Sequence, residues 1–165
     1  MPHQFGLESV KQCYEEIIPV LRHEHWEEVG HYKDIPIDMQ WDKYFTLQEM
    51  GKLRCFTIRG PVNEEFKTQE LFGYAFYIVD YHLHYKNTKV GGQDILYIRK
   101  PHRGIGQSFI DYCDKELAKE GVTTVTQHIK PWFDWSPMAE RLGYEKAETI
   151  WTRRLDKEGP SERRE

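Results

Sequence analysis

Two glycines beside a group of basic residues carry the clearest chemical signal in the sequence. Gly104 and Gly106 follow the short apolar run 94–98 and open a segment in which an apolar residue recurs every fourth position. Glycines at a strand-to-helix turn let backbone N–H groups approach a ligand closely, and the helix N-terminus adds partial positive charge. The combination predicts a phosphate-binding loop. The stretch lacks the Lys-Ser/Thr of a P-loop and the third glycine of a dinucleotide fingerprint, so the motif alone does not name the ligand.

Two groups of histidines supply side chains that titrate near neutral pH. His82 and His84 alternate along the chain next to Tyr85, so an extended backbone would put both imidazoles on one face. His25 and Glu28 lie one helical turn apart. Each group predicts either a general base or ordinary structural residues. No CxxC or HExxH pattern supplies further ligands, so no metal site is predicted.

Acidic residues are the remaining candidates for acid–base chemistry. Glu24, Glu27 and Glu28 would make one helix face acidic, which suits a cationic ligand or simply a solvated surface. Asp94 precedes the apolar run and is interpreted as a base or as a turn residue.

Composition limits the kinds of partner. The 165 residues carry a net charge of -4 with a pI near 6.1, which gives no general attraction to nucleic acid or to an anionic membrane. No apolar stretch approaches ~18 residues, and the first ten residues lack the pattern of a signal peptide. Cys13, Cys55 and Cys113 are widely spaced in apolar surroundings, which predicts reduced core residues of a cytoplasmic protein.

The periodicity of apolar residues predicts the elements that would position these side chains. Glycine and proline mark the breaks between elements. One helix, or two joined at Pro19, is expected over 7–30, and a short one from Trp41 to Gly51. The other predicted elements are strands 53–59, 71–80, 94–98 and 122–129, helices 105–121 and 133–142, and a terminal strand pair, 144–147 and 149–155. This order predicts one α/β domain over residues 1–155 with a single central sheet, an irregular stretch at 81–92 and a disordered tail at 156–165.

Residues 70–155 resemble the GNAT superfamily of acyl-CoA-dependent N-acyltransferases, including its small phage and bacterial members. The family's pyrophosphate loop reads Gln/Arg-x-x-Gly-x-Gly/Ala. Residues 103–108 fit it from Arg103, with Ser108 where Gly or Ala is usual, and a second register pairs Gly104 with Gly106. Residues 138–145 resemble the family's Leu-Tyr-Glu-Lys-Leu-Gly-Phe helix end, in which Ala139 replaces a tyrosine that often acts as general acid.

The resemblance implies a mixed, mostly antiparallel sheet flanked by helices, with two strands that splay apart around the acyl-CoA. Acetyl-CoA would be the acyl donor, and the acceptor an amine on a small molecule or a protein. The implied cofactor-binding residues are Leu96, Tyr97, Ile98, His102, Arg103, Gly104, Ile105, Gly106, Gln107 and Ser108.

The resemblance also ranks the catalytic candidates: His84, or a water held by it and Tyr85, is the favoured general base, and His25 with Glu28 is the competing site. His84 and Tyr85 should open beside the thioester because they follow the central strand, whereas His25 and Glu28 belong to helices that should roof the groove. Direct attack of the amine on the thioester is the expected reaction. Because Ala139 removes the usual acid, a GNAT-fold binding protein with little catalysis is the alternative, and a nucleotide-phosphate module is a third. Homodimer formation is left open.

Overall fold

The computed structural model describes residues 3–157 and has one five-stranded sheet, with the strands side by side in chain order. The strands are β1 (Gln4–Glu8), β2 (Leu53–Asn63), β3 (Thr68–Tyr81), β4 (Lys89–Ile98) and β5 (Val122–Thr126). Every neighbouring pair is antiparallel except β4 and β5, which are parallel. This mixed, mostly antiparallel sheet with flanking helices confirms the predicted fold class.

The first helical region is longer and more continuous than Pro19 would suggest. Helix α1 (Val10–Val20) contains Pro19 and runs directly into a π-helical turn, Leu21–His25, and then into α2 (Trp26–Val29). Proline lacks the N–H that an α-helix uses, and the wider π turn after it keeps the chain helical instead of breaking it. The remaining helices are α3 (Trp41–Glu49), α4 (Gly106–Lys119) and α5 (Ser136–Arg141), with a short 3-10 turn at Lys100–His102. No helix in residues 3–157 is long and apolar enough to cross a bilayer.

The central strand β3 is buried on both faces and divides the core into two layers. Its alternate side chains Tyr74 and Phe76 pack toward α1, whereas Ala75, Tyr77 and Val79 pack toward α4. Because side chains alternate along a strand, this one segment supplies both layers. The long aromatic run that predicts the strand is therefore also the centre of the domain.

Three parts of the structure differ from the sequence prediction. Strand β1 was not predicted, since its five residues QFGLE carry little alternation and form a strand by pairing with β2. Strand β4 begins at Lys89, so the stretch expected to be irregular ends earlier than predicted. The terminal strand pair is wrong, because residues 144–157 form neither helix nor strand. Of the predicted tail 156–165, all but the first two residues lie outside the described part of the chain.

Candidate active site

A cavity of about 630 Å³ opens where β4 and β5 stop pairing. The two strands are paired from Lys89 to Gly92 on β4 and from Val122 to Thr126 on β5, and they diverge after these residues. The second half of β4 keeps β3 as a neighbour on one side only. The backbone groups on its other side are therefore available to a ligand. The predicted splay of the strands flanking the central helix is present.

A buried glutamine and a β-bulge hold the strands apart. The Gln93 side chain is 7% exposed, and its Oε1 accepts a hydrogen bond of 2.8 Å from the backbone N–H of His128, just beyond β5. The Gln93 side chain thus takes the place of a backbone-to-backbone hydrogen bond, and the two strands are farther apart here than in the paired part of the sheet. In β4, Gln93 and Ile95 face consecutive residues of β3, so Asp94 is the extra residue of a bulge. Bulges bend a strand and redirect its side chains, and here Asp94 lines the cavity.

The glycine loop forms the mouth of the cavity. Helix α4 begins at Gly106, with Ile105 as its N-cap, and both Gly104 and Gly106 line the cavity. The first N–H groups of a helix have no partner within the helix, so those of α4 are available at this mouth. Gly104 has a φ of +107°, whereas Gly106 is not among the residues with positive φ. The helix start and the positive φ of Gly104 both favour the register that pairs Gly104 with Gly106.

The structure brings most of the predicted cofactor-binding residues to the cavity. Those that line it are Leu96, Tyr97, Ile98, Arg103, Gly104, Gly106 and Gln107. The other three do not: His102 stacks on Phe72 with ring centroids 3.4 Å apart, Ile105 packs against the apolar layer under α4, and Ser108 is exposed on the first helical turn. A backbone contact from residues 105 and 108 remains compatible with these positions. The assignment as a whole stays a prediction.

Arg103 reaches across the mouth to the helices that roof the cavity. Its Nη2 lies 2.7 Å from Glu28 Oε2, and the Tyr97 hydroxyl donates to the same oxygen at 2.8 Å. Burial raises the pKa of Glu28, but the hydrogen bonds from Arg103 and Tyr97 and the charges of Arg103 and Lys100 outweigh it and lower the pKa. Glu28 is therefore an ion-pair partner of Arg103 and poorly suited to act as a base. Glu24 is likewise paired, with Arg99, so the charge of the expected acidic helix face is largely neutralised.

His25 lines the cavity but is part of the core. The residue is 9% exposed, its ring stacks on Tyr97 at 4.7 Å between centroids, and its Nδ1 shares a 2.9 Å hydrogen bond with the Tyr74 hydroxyl. Burial and the positive charge of Lys130 lower its pKa to about 4, although Glu28 acts in the opposite direction. The imidazole is neutral at pH 7, and its pKa is low for a general base. This environment favours the structural interpretation of His25.

The buried His25 should make stability depend on pH. The unfolded chain binds a proton at His25 near pH 6.5, whereas the folded chain resists it down to about pH 4. Stability contributed by His25 is thus complete above pH 6.5 and is lost as pH falls toward 4, by on the order of 3 kcal/mol. Urea unfolding of His25→Gln across this range should show a much smaller loss than wild type. His23→Gln, two residues earlier and exposed, is the matched control and should retain the wild-type slope. Equal slopes in wild type and His25→Gln would contradict the assignment.

His84 and Tyr85 lie away from the cavity, which corrects the expectation that they open beside the thioester. They belong to the loop between β3 and β4, which joins β4 at Lys89. That end of β4 is still paired with β5, and the strands diverge only after Gly92. The loop is therefore at the opposite end of β4 from the free edge, and neither side chain lines the cavity. The sequence shows that His84 and Tyr85 follow β3, but it does not show at which end of the sheet β4 and β5 diverge.

Several cavity residues were not singled out as site residues from the sequence. His128 and Lys130 follow β5 and line the wall opposite β4, and Met39 belongs to the loop before α3. Lys130 Nζ donates to the Val29 carbonyl at 3.1 Å, and burial lowers its pKa. No local motif marks His128 and Lys130, because they reach the cavity only through the divergence of β5 from β4. Within residues 3–157, no cluster of three or more His, Cys, Asp or Glu side chains is arranged for a metal ion.

Comparison with known proteins finds similarity in structure but not in sequence. No protein-family model and no curated protein sequence matches the chain. Among solved structures, a ribosomal-protein-alanine N-acetyltransferase from Brucella melitensis superimposes with a TM-score of 0.67 at 14% identity, over 94% of this chain and 100% of that one. A glucosamine-6-phosphate N-acetyltransferase from Arabidopsis thaliana gives 0.65 at 11% identity, over 94% and 100%. A predicted acetyltransferase from Clostridium acetobutylicum, solved with acetyl-CoA, gives 0.63 at 12% identity, over 93% and 97%. The fold is that of the GNAT-type acetyltransferases.

Proposed function

We propose that this protein is an N-acetyltransferase that moves the acetyl group of acetyl-CoA to an amine. The observation that carries the proposal is the gap between β4 and β5, with the N-terminus of α4 at its mouth. The same fold occurs in a structure solved with acetyl-CoA. A gap with a free strand edge on one wall and a helix N-terminus at one end suits a long ligand that carries amides and phosphates.

The donor would be bound mainly by backbone groups. The free edge of residues 94–98 would pair with the amides of pantetheine, as an added strand pairs with a sheet edge. The pyrophosphate would lie on the N–H groups of Gly106 and the residues after it, where the helix dipole favours negative charge. An N–H of β4 near the bulge would polarise the thioester carbonyl.

Asp94 is the best-placed group to receive the proton of the amine. It is exposed, it lines the cavity at the bulge, and the Tyr44 hydroxyl donates to its Oδ2 at 2.5 Å. A carboxylate there would attract a cationic amine and accept one proton from it, directly or through one water, which leaves a neutral nitrogen with a lone pair to attack the thioester carbon. The C–N bond forms, the C–S bond breaks and CoA leaves as a thiolate, while the second proton of the nitrogen passes to water and neutral amide remains.

The absent tyrosine does not argue against this reaction. Ala139 is 4% exposed and provides no proton donor for the leaving group. A thiol ionises near pH 8.5, so its thiolate is stable enough to leave without a dedicated acid. The absence of a tyrosine at Ala139 also favours a second candidate function. The protein would then be a GNAT-fold protein that binds acyl-CoA and transfers the acetyl group slowly or not at all.

Ligand binding and turnover separate these candidates. A ligand at ~100 times its Kd should stabilise the protein by about 2.7 kcal/mol. We therefore expect a rise in the melting temperature with acetyl-CoA and CoA but not with ATP. Release of free CoA, followed with a thiol reagent, is then expected with at least one class among polyamines, aminoglycosides and peptide amines. Stabilisation by CoA without release in any class would favour the binding protein, and equal stabilisation by ATP would favour a nucleotide-phosphate module.

A further inference from the structure

A lysine in the cavity wall opposite β4 has no acidic partner. Beyond the end of β5 the chain diverges from β4, and His128 and Lys130 line the cavity, whereas Gln127 and Ile129 do not. This alternation is that of an extended chain, which directs the side chains of His128 and Lys130 to one face. Within residues 3–157, no carboxylate forms an ion pair with the Lys130 ammonium.

Neutral groups hold the Lys130 ammonium in the cavity wall. Its Nζ donates to the Val29 carbonyl at 3.1 Å and lies 5.6 Å from the centre of the Trp132 ring. The same carbonyl accepts a 3.2 Å hydrogen bond from Trp132 Nε1, so it keeps a partner without the lysine. An ammonium has three N–H donors, of which this carbonyl uses one. Because Lys130 is half-buried, its cation has lost part of its hydration and would gain from an anion beside it.

The other charged residues of the cavity occupy different places. Both arginines that line it are at its mouth, where Arg103 is paired with Glu28 and Arg141 contacts Gln107 at the start of α4. Of the described residues that line the cavity, Asp94 on β4 is the only carboxylate. The cavity therefore presents a negative group on β4 and a positive group, the lysine, on the opposite wall.

We propose that Lys130 binds an anionic group of the acceptor, so that the acceptor is an amine that also carries a carboxylate or a phosphate. The inference rests on the proposed N-acetyltransferase function, in which Asp94 receives the amine. The two walls then hold opposite ends of a zwitterion, and the His128 imidazole on the same face as Lys130 offers a further hydrogen-bonding group to the anion. The reverse orientation would bring like charges together, so the charges direct the amine to Asp94.

Binding of acceptors to the complex with CoA tests the anion site without turnover. The probes are matched pairs that differ in the anionic group: an α-amino acid and its amide, a dipeptide and its amide, and phosphoethanolamine and ethanolamine. In calorimetric titrations, at least one anionic member should bind about tenfold or more tightly than its partner, the effect of one hydrogen bond between charged groups. The pair that shows the preference identifies the anion as carboxylate or phosphate. If no anionic member binds more tightly than its partner, the proposal is wrong.

Variants of Lys130 test whether this residue provides the preference. Lys130→Met keeps an apolar stem without the charge and should abolish the preference, whereas Lys130→Arg keeps the charge and should retain it. Lys33→Met is the matched control, because Lys33 donates to the Trp26 and Glu27 carbonyls of α2 at 2.6 and 2.8 Å but does not line the cavity. It should bind each pair as wild type does. A preference that survives Lys130→Met, or a loss of CoA affinity alone, would overturn the assignment to the acceptor.

Turnover of the same pairs separates this inference from the proposed function. With acetyl-CoA as donor, kcat/KM for CoA release should favour the anionic member by about the same factor as binding does, and Lys130→Met should bring the ratio close to one. A Lys130-dependent preference in binding with no CoA release from any acceptor would support the anion site and contradict the N-acetyltransferase. CoA release that is equally fast within every pair would support the N-acetyltransferase and contradict the anion site.

Discussion

Replacing Asp94 by asparagine is expected to lower kcat/KM for the amine acceptor about 100- to 10,000-fold, the usual cost of removing a general base. The change keeps the size of the side chain and removes the charge that would bind the amine and take its proton. Because Asp94 lies at the bulge and not at the N-terminus of α4, the affinity for CoA should change little. Steady-state CoA release and calorimetric CoA binding measure the two quantities separately.

Two controls distinguish chemistry from structure at this position. Asp80→Asn makes the same change at an exposed aspartate near the end of β3, where the partner is Lys52, and should leave turnover unchanged. Tyr44→Phe removes the 2.5 Å hydrogen bond to Asp94 but keeps its carboxylate, so it should cost far less than Asp94→Asn. A loss below tenfold in Asp94→Asn would mean that the amine arrives already deprotonated or that another group accepts the proton.

The strand, turn and helix around the phosphate loop could be predicted because their signals are local. Gly104 and Gly106 mark the turn, apolar residues recur with helical period to Leu117, and Gly121 ends the helix with a φ of +86°. The central position of β3 could also be predicted, because its long apolar and aromatic sequence indicates a strand that is buried on both faces. Local pattern therefore predicted the elements that form the proposed cofactor side of the site.

The proposed acceptor side depends on contacts between distant residues and could not be predicted in the same way. The sequence names Asp94 as a base or a turn residue, but only the bulge against β3 makes it a cavity residue, and His128 contacts Gln93 from beyond the end of β5. His84 has the more suggestive local sequence but lies at the paired end of β4. A strand's composition does not specify its partner, and the same limitation explains the wrong prediction for 144–155, which has strand composition but no strand beside it.

His25 fits the apolar pattern of its helix and also lines the cavity, but its pKa is too low for a general base. Its place on the apolar stripe of the first helical region predicts burial, and the structure stacks it on Tyr97 in the wall of the cavity. Burial then lowers its pKa to about 4, which removes the property that made histidine an attractive base. Its expected role is to hold Tyr97, and through Tyr97 the carboxylate of Glu28.

Replacing Gly106 by valine is expected to weaken CoA binding at least about 100-fold, the cost of losing two hydrogen bonds to a charged group at about 1.5–3 kcal/mol each. A Cβ at Gly106 would lie 3.4 Å from Met138 and 3.5 Å from Ile98, so alanine fits there with little adjustment. The two further methyl groups of valine would fill the space between these neighbours and the ligand. Calorimetric titration with CoA should therefore rank wild type, Gly106→Ala and Gly106→Val in order of decreasing affinity.

Alanine substitutions at two glycines with positive φ distinguish a loss of stability from a loss of CoA binding. Gly104 has a φ of +107° and Gly121 a φ of +86°, and an added Cβ at either one meets nothing within 4 Å. Alanine should cost about 1–2 kcal/mol of stability at both positions, because side chains disfavour this backbone region. Only Gly104→Ala should also lower CoA affinity, since Gly104 lines the cavity and Gly121 follows the far end of α4. If Gly104→Ala and Gly106→Val fold and bind CoA as wild type does, the pyrophosphate is bound elsewhere and the glycine loop is only a tight connection between β4 and α4.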